Sequence, residues 1–145
     1  MAVLKAETFP TDSDGAGLLK KVKQGLTNLS GHGPAKDGTY LSPPHGLDAD
    51  RDMLRDDYRD IWRGTTIQYK DDETGASVNI PNKLISLGGF FLRPSHKVLD
   101  IQKVILHEYL HLVLTVSSEF QHSQMTQVIT YNLGYPGDAN PFGTD

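Results

Sequence analysis

Two histidines separated by three residues are the part of the sequence best suited to chemistry. His107 and His111 lie within a nearly continuous apolar run, and Glu108 directly follows the first of them. On a helix, residues four apart lie one turn apart on the same face, so both imidazoles can reach one tetrahedral metal ion. Glu108 lies about 100° around the helix from His107 and can accept a proton from a water at that ion. The pattern therefore predicts two metal ligands and a general base.

The alternative to a metal site is a pair of ordinary core histidines, which are more common than ligands. The surrounding pattern favours the metal. A helix predicted from about Val98 to Val116 is apolar on most of its circumference. Its polar positions fall within about 80° of one another, and they are Asp100, Lys103, His107, His111 and Ser118. Two imidazoles and a carboxylate are costly to bury without partners, and a divalent cation satisfies them.

Composition limits the class of protein. The 145 residues fit a single domain spanning 1–145, with flexible ends expected at 1–13 and 136–145. Because the chain has no cysteine, a zinc ion must be held by nitrogen and oxygen ligands. The formal charge of -4, without a long basic run, argues against a nucleic-acid partner.

The chain shows no targeting or membrane-spanning pattern. Its start lacks the charged and then apolar order of a secretory signal peptide, and no apolar stretch is long enough to span a bilayer. We therefore expect a cytoplasmic protein, or one exported by a route that uses no cleaved leader. The sequence does not determine the oligomeric state.

Two helices are predicted before the histidine helix. The first begins at Asp14 as its cap and ends at Gly31, and its inner face is expected to carry Leu18, Leu19, Val22, Leu26 and Leu29. The second runs from Asp48 to about Arg63, with Gly64 as its terminator. A loop rich in glycine and proline separates them.

The strands are predicted between the second helix and the histidine helix. Thr65–Lys70 and Ala76–Ile80 have strand composition and flank a turn, which predicts a hairpin. A further apolar segment, Leu84–Leu92, contains Gly88 and Gly89. Paired glycines in a strand indicate a bulge or a close approach of another backbone segment.

This order of elements, together with His107, Glu108 and His111, resembles the zincin metallopeptidases. The resemblance implies an α+β, zincin-like fold in which a small mixed or antiparallel sheet packs on helices, one of them the HExxH active-site helix. In that superfamily the strand before the active helix forms the sheet edge and pairs with an extended substrate. The resemblance therefore assigns substrate binding to Leu84–Leu92, in particular Leu87, Gly88 and Gly89.

A looser similarity links the chain to the deuterolysin-type aspzincin peptidases. It is carried by the run Ile85–Phe91 followed by Ile101–Glu108. The chain lacks the third metal ligand of the metzincins and that of the aspzincins. The positions of the metzincin glycine and histidine hold Leu114 and Ser117, and no aspartate occurs between Asp100 and Asp138, where an aspzincin would carry its ligand.

Three residues remain as candidates for the third ligand. His122 is preferred to Glu119, because imidazole is a common zinc ligand, while Asp138 is a more distant donor. If the helix continued unbroken, His122 would lie about 16 Å along the axis from His111, too far to share an ion. The helix must therefore break near Ser117 and Ser118 if His122 is the ligand.

The resemblance implies a zinc metallopeptidase with one catalytic Zn²⁺, a metal-dependent hydrolase that cleaves peptide or protein substrates with metal-activated water. Glu108 would act as the general base, and Tyr131 or Tyr135 would donate a hydrogen bond to the developing oxyanion. Two alternatives remain open. One is a non-catalytic, zincin-like module that binds a partner protein, and the other is a cell-wall peptide amidase or toxin effector.

Overall fold

The computed structural model describes residues 2–31 and 55–113, which form a mixed α+β fold with a four-stranded mixed sheet. The expected fold class is confirmed at this level. In chain order the elements are β1 (Val3–Leu4), α1 (Ser13–Gly31), α2 (Tyr58–Arg63), β2 (Thr66–Tyr69), β3 (Ala76–Asn79), β4 (Leu84–Leu87) and α3 (Val98–Val113). Short 3-10 helices at Ala6–Thr8 and Gly89–Leu92 precede α1 and α3.

The N-terminal residues belong to the fold and are not a flexible end. β1 pairs in parallel with β2, with Val3 opposite Thr66. Phe9 is buried and packs against Tyr69, with 6.0 Å between the ring centroids. The expectation of a flexible 1–13 segment is therefore wrong for the described residues 2–13, because the segment pairs with the sheet and buries an aromatic side chain.

α1 begins after Asp12, whose carboxylate accepts a hydrogen bond from the Gly15 N–H at 2.8 Å. The predicted cap, Asp14, is wrong by two residues. The helix begins at Ser13, and the residue before it, Asp12, is placed to accept from the backbone N–H groups of the first turn, which have no partner within the helix. The predicted inner face is confirmed. Its fully buried members are Leu18, Val22, Leu26 and Leu29, and Leu19 is partly buried.

α2 matches only the last part of the second predicted helix. Residues 55–57, which were predicted to be helical, form a coil and a turn, and the helix begins at Tyr58. Ile61 and Trp62 are buried as expected, and the helix ends before Gly64, whose N–H donates to the Asp60 carbonyl at 3.0 Å. The earlier part of the predicted helix, from Asp48 through Met53 and Leu54, lies outside the described residues.

The strands form one sheet in the order β1-β2-β4-β3. β2 is parallel to both β1 and β4, whereas β3 is antiparallel to β4. The predicted hairpin is therefore wrong, since β4 lies between β2 and β3. The hairpin in the structure joins β3 to β4 through residues 80–83, where Lys83 has a φ of 51°. β4 holds the interior position, and three of its four residues are buried there.

The connector from β2 to β3, residues 70–75, crosses the end of β4. The N–H groups of residues 88–90 donate to backbone carbonyls of this connector at 2.7 to 2.9 Å. A Cβ atom on Gly88 would lie 2.1 Å from the Glu73 carbonyl oxygen. The close approach predicted at the paired glycines is therefore confirmed at Gly88.

Replacing Gly88 with alanine is expected to lower the free energy of unfolding by about 2–3 kcal/mol, because the contacting atoms are backbone and cannot rotate away. Gly75→Ala is the matched control in the same crossing, since no atom lies within 4 Å of the position that its methyl group would take. The control should change stability by less than about 0.5 kcal/mol. Urea unfolding of both variants measures this, and equal stabilities would contradict the close approach.

The sheet has one apolar and one polar face. Ile67, Ile85 and Leu87 are fully buried and belong to the same core cluster as the apolar residues of α1 and α3. The opposite face carries Gln68, whose amide donates to the Ser86 hydroxyl at 3.1 Å. The helices therefore form one layer against the sheet, and α3 contacts both β3 and β4 within it. In the described ranges, no helix combines the length and the hydrophobicity needed to cross a membrane.

Candidate metal centre

α3 presents a single partly exposed stripe that includes both histidines. Eight of its sixteen residues are buried, and the partly exposed residues of its last three turns are Lys103, Val104, His107, Glu108 and His111. These positions recur at three- and four-residue spacing, which places them on one face of the helix. The predicted polar stripe on an otherwise packed helix is therefore confirmed as far as Val113.

The two imidazoles of the stripe converge. The His107 and His111 Nε2 atoms are 3.3 Å apart, and the ring centroids are 5.0 Å apart with the rings nearly perpendicular at 78°. Two nitrogens bound at about 2.05 Å to a tetrahedral zinc ion would lie about 3.3 Å from each other. The distance fits a shared ion, and in the metal-free protein it also fits a hydrogen bond from one ring to the other.

Tyr109 fixes the rotation of α3 about its axis. Its hydroxyl donates to the Tyr58 carbonyl at 2.6 Å, and its ring packs edge-on against Trp62 with 5.0 Å between centroids. Burial raises the pKa of the Tyr109 hydroxyl well above its usual range, so this group remains a hydrogen-bond donor. Because Tyr109 is anchored on α2, His107 and His111 are held away from this contact, on the partly exposed stripe.

A polar contact joins α3 to α1 near the start of α3. The Asn28 amide donates to the Gln102 side-chain oxygen at 3.1 Å, and the Gln24 amide donates to Asn28 at 3.0 Å. Gln102 is buried, so this hydrogen bond offsets the cost of removing its amide from water. A Cβ atom on Gly25 would lie 3.7 Å from the Gln102 Cα, which shows how closely the helices approach. α1 therefore packs closely against α3.

Glu108 lies on the same partly exposed stripe, directly after His107. Its side chain is partly exposed, so water can reach it. It can therefore take part in proton transfer with a water molecule near the two rings.

The proposed third ligands and the oxyanion donor fall outside the described part of the chain. This applies to Glu119, His122 and Asp138, and equally to Tyr131 and Tyr135. Within residues 2–31 and 55–113, no group of three or more His, Cys, Asp or Glu side chains is arranged to hold a metal ion. The described fold therefore supplies two ligands of a possible site, and a third must come from the remaining residues or from solvent.

The assignment of substrate binding to Leu87, Gly88 and Gly89 is corrected by the sheet order. β4 is flanked on both sides, and Leu87 is fully buried with its carbonyl accepting from the Lys70 N–H at 3.0 Å. The Gly88 and Gly89 N–H groups donate to the Gly75 and Glu73 carbonyls of the connector at 2.7 and 2.9 Å. These backbone groups are already paired and cannot add a peptide strand.

The edge next to α3 is β3, which the sequence interpretation missed. Gly88 donates to the Gly75 carbonyl, and bonded pairs alternate along an antiparallel ladder. The backbone groups of Ala76 and Val78 therefore point away from β4, and no strand of the described residues pairs with this side of β3. The alternation of polar and apolar residues in Ala76–Asn79 is typical of such an edge, whereas the apolar run in β4 is typical of an interior strand.

Comparisons with known proteins leave the family open. No family model, no curated protein and no solved structure matches the chain. The resemblance to zincins therefore rests on His107, Glu108 and His111 and on the geometry of α3.

Proposed function

We propose that this protein is a zinc-dependent peptidase in which His107 and His111 bind the metal and Glu108 acts as the general base. The observation that carries this proposal is the 3.3 Å separation of the two Nε2 atoms on a helix held by buried contacts. Imidazole nitrogens at this separation match the geometry of zinc sites in proteins. The zincin-like fold and the role of α3 as the active-site helix are part of the same proposal.

Zinc, when bound, lowers the pKa of water and polarises a carbonyl group. The residues of the chain supply the remaining chemistry. The Glu108 carboxylate accepts a proton from the attacking water and delivers a proton to the leaving amine when the C–N bond breaks. Tyr109 and Gln102 take no part in this transfer, and they hold α3 so that His107 and Glu108 face the substrate together.

The proposed substrate is an extended peptide that adds to the side of β3 on which no strand of the described residues pairs. The outward N–H and C=O groups of Ala76 and Val78 can pair with a peptide backbone in the manner of an added strand. Because α3 contacts β3, such a peptide would run beside the helix that carries the histidines. Backbone pairing of this kind favours peptides and unfolded segments over compact proteins.

Metal removal and readdition test this function. The full chain is treated with a chelator, reconstituted with zinc, and incubated with unfolded protein, short peptides and peptidoglycan fragments. We expect one equivalent of zinc to restore cleavage of the unfolded protein and peptides, and chelation to reduce the rate by more than about 100-fold. Cleavage confined to peptidoglycan fragments would favour an amidase, and zinc binding without any cleavage would favour a binding module.

A further inference from the structure

A groove of about 680 Å³ runs along the outer side of α1 and reaches the start of α3. Ala16 and Leu19 contribute apolar surface to it, and Lys20, Lys21 and Lys23 lie beside them. None of the described residues that line the groove is acidic. The groove therefore combines apolar surface with concentrated positive charge, in a chain whose formal charge is -4.

The three lysines of the groove are not neutralised by the described part of the fold. None of them forms an ion pair with a carboxylate of the described residues. The Lys21 ammonium group donates to the Pro94 carbonyl at 3.3 Å, and this neutral acceptor leaves the charge uncompensated. The positive charge is therefore available to an anionic group from outside the described fold.

The spacing of Lys20 and Lys23 adds to this charge. Side chains three and four residues apart are neighbours on a helix, and an acidic residue at such a position would pair with a lysine. For Lys20 and Lys23, these positions hold only neutral residues and the other lysine. Like charges at this spacing repel each other, so an anion bound between them would relieve the repulsion.

The shape and composition of the groove favour a segment of a protein as the anion. From Ala16 to Thr27, α1 is about 16 Å long, which corresponds to about five residues of an extended peptide. A segment that carries both carboxylates and apolar side chains matches the lysines and the apolar surface together.

A membrane and a nucleic acid match this face less well. The large exposed apolar side chains of the described residues are Val3, Ile80 and Phe90, and none of these lies on α1. The face therefore offers no large apolar group that could insert into lipid. The negative formal charge of the chain opposes the approach of a nucleic acid, which is a polyanion over its whole length.

We infer that the groove beside Ala16, Leu19, Lys20, Lys21 and Lys23 binds an acidic segment of a partner protein. Carboxylates of the segment pair with the lysines, and its apolar side chains cover Ala16 and Leu19. Because exposed ion pairs are individually weak and are screened by salt, the binding is reversible and weakens as ionic strength rises. It requires neither zinc nor Glu108, so it is independent of the proposed peptidase function.

Fluorescence anisotropy of the zinc-free full chain tests this inference, with a labelled decapeptide of glutamate, leucine and serine as the probe. At low salt, we expect this peptide to bind at least about tenfold more tightly than the same peptide with glutamine in place of glutamate. The double variant Lys20→Glu, Lys23→Glu should weaken binding by at least about tenfold. Circular dichroism checks that the variant is folded.

The double variant Lys5→Glu, Lys70→Glu is the matched control. It changes the net charge by the same amount, and both of its lysines are exposed but do not line the groove. Its affinity for the acidic peptide should stay within about twofold of the wild type. Equal losses in the two double variants would show a response to net charge alone and would overturn the inference.

The remaining outcomes concern the identity of the partner. Equal binding of the glutamate and glutamine peptides, or no binding of either at low salt, would overturn the acidic segment. Tighter binding to phosphatidylserine vesicles or to single-stranded RNA than to the acidic peptide would also overturn it. Unchanged affinity after serine replaces the leucines of the peptide would overturn the role of Ala16 and Leu19.

Discussion

Glu108→Gln is expected to reduce the rate of peptide hydrolysis by at least about 100-fold, and by as much as about 10⁴-fold, while zinc remains bound. The glutamine has the same size and shape as the glutamate, so the contacts of α3 are retained. It cannot accept a proton from water near neutral pH, and this removes the general base from the reaction. Single-turnover hydrolysis of a peptide identified in the substrate panel measures the loss, and metal analysis of the purified variant measures the zinc.

The same variant distinguishes a chemical role from a structural one. If Glu108 served only to stabilise α3, Glu108→Gln would change the melting temperature and the rate in proportion. Glu108→Asp is the companion variant, because it keeps the carboxylate but withdraws it by one methylene, and it should retain part of the activity. Unchanged hydrolysis in Glu108→Gln would remove this residue from the proposed mechanism.

Replacing either converging histidine is expected to lower zinc affinity by more than about 100-fold. Loss of an outer partner of a ligand already costs about 10- to 100-fold, and His107→Ala or His111→Ala removes a bond to the ion itself. His96→Ala is the matched control within the described residues. The His96 ring lies against Phe90 and its Nε2 atom is 3.1 Å from the Phe90 carbonyl oxygen, so its loss should leave zinc affinity unchanged.

The same titration identifies the third ligand. Among Glu119→Ala, His122→Ala and Asp138→Ala, we expect one variant to lose zinc affinity as strongly as His111→Ala, and the preferred residue is His122. Competition with a chromophoric chelator gives the affinities, and circular dichroism confirms that each variant is folded. Full zinc affinity in both His107→Ala and His111→Ala would overturn the proposed centre, whichever residue is the third donor.

The helices of the described fold could be predicted because their evidence is local. The spacing of Leu18, Val22 and Leu26 is that of a helix with one buried face, and α1 has that face buried. The start of α1 was predicted at Asp14, whereas Asp12 is the cap. Both residues are aspartates, so their intrinsic preference for the cap position is the same. A cap depends on backbone angles at one residue, which the sequence pattern does not determine.

The strand order could not be predicted in the same way. Composition predicts the segments that form β2, β3 and β4, but it also favours a hairpin between the first two of them, which are neighbours along the chain. In the structure, β4 pairs with both β2 and β3 and three of its four residues are buried. Strand pairing joins residues that are distant in sequence, and a local pattern cannot rank the possible partners.

By itself, the sequence determined that His107 and His111 share one face of a largely buried helix, because a four-residue spacing sets this by helix geometry alone. The 3.3 Å convergence of their rings depends in addition on the side-chain rotamers, which the spacing does not fix. Only the tertiary structure decided how this face is oriented, since the Tyr109 hydroxyl is bonded to α2 and α1 packs against α3. It also decided that β3, and not β4, lies at the edge of the sheet formed by the described residues. Side-chain direction and strand order are set by contacts between distant segments, whereas the face of a helix is set by its own periodicity.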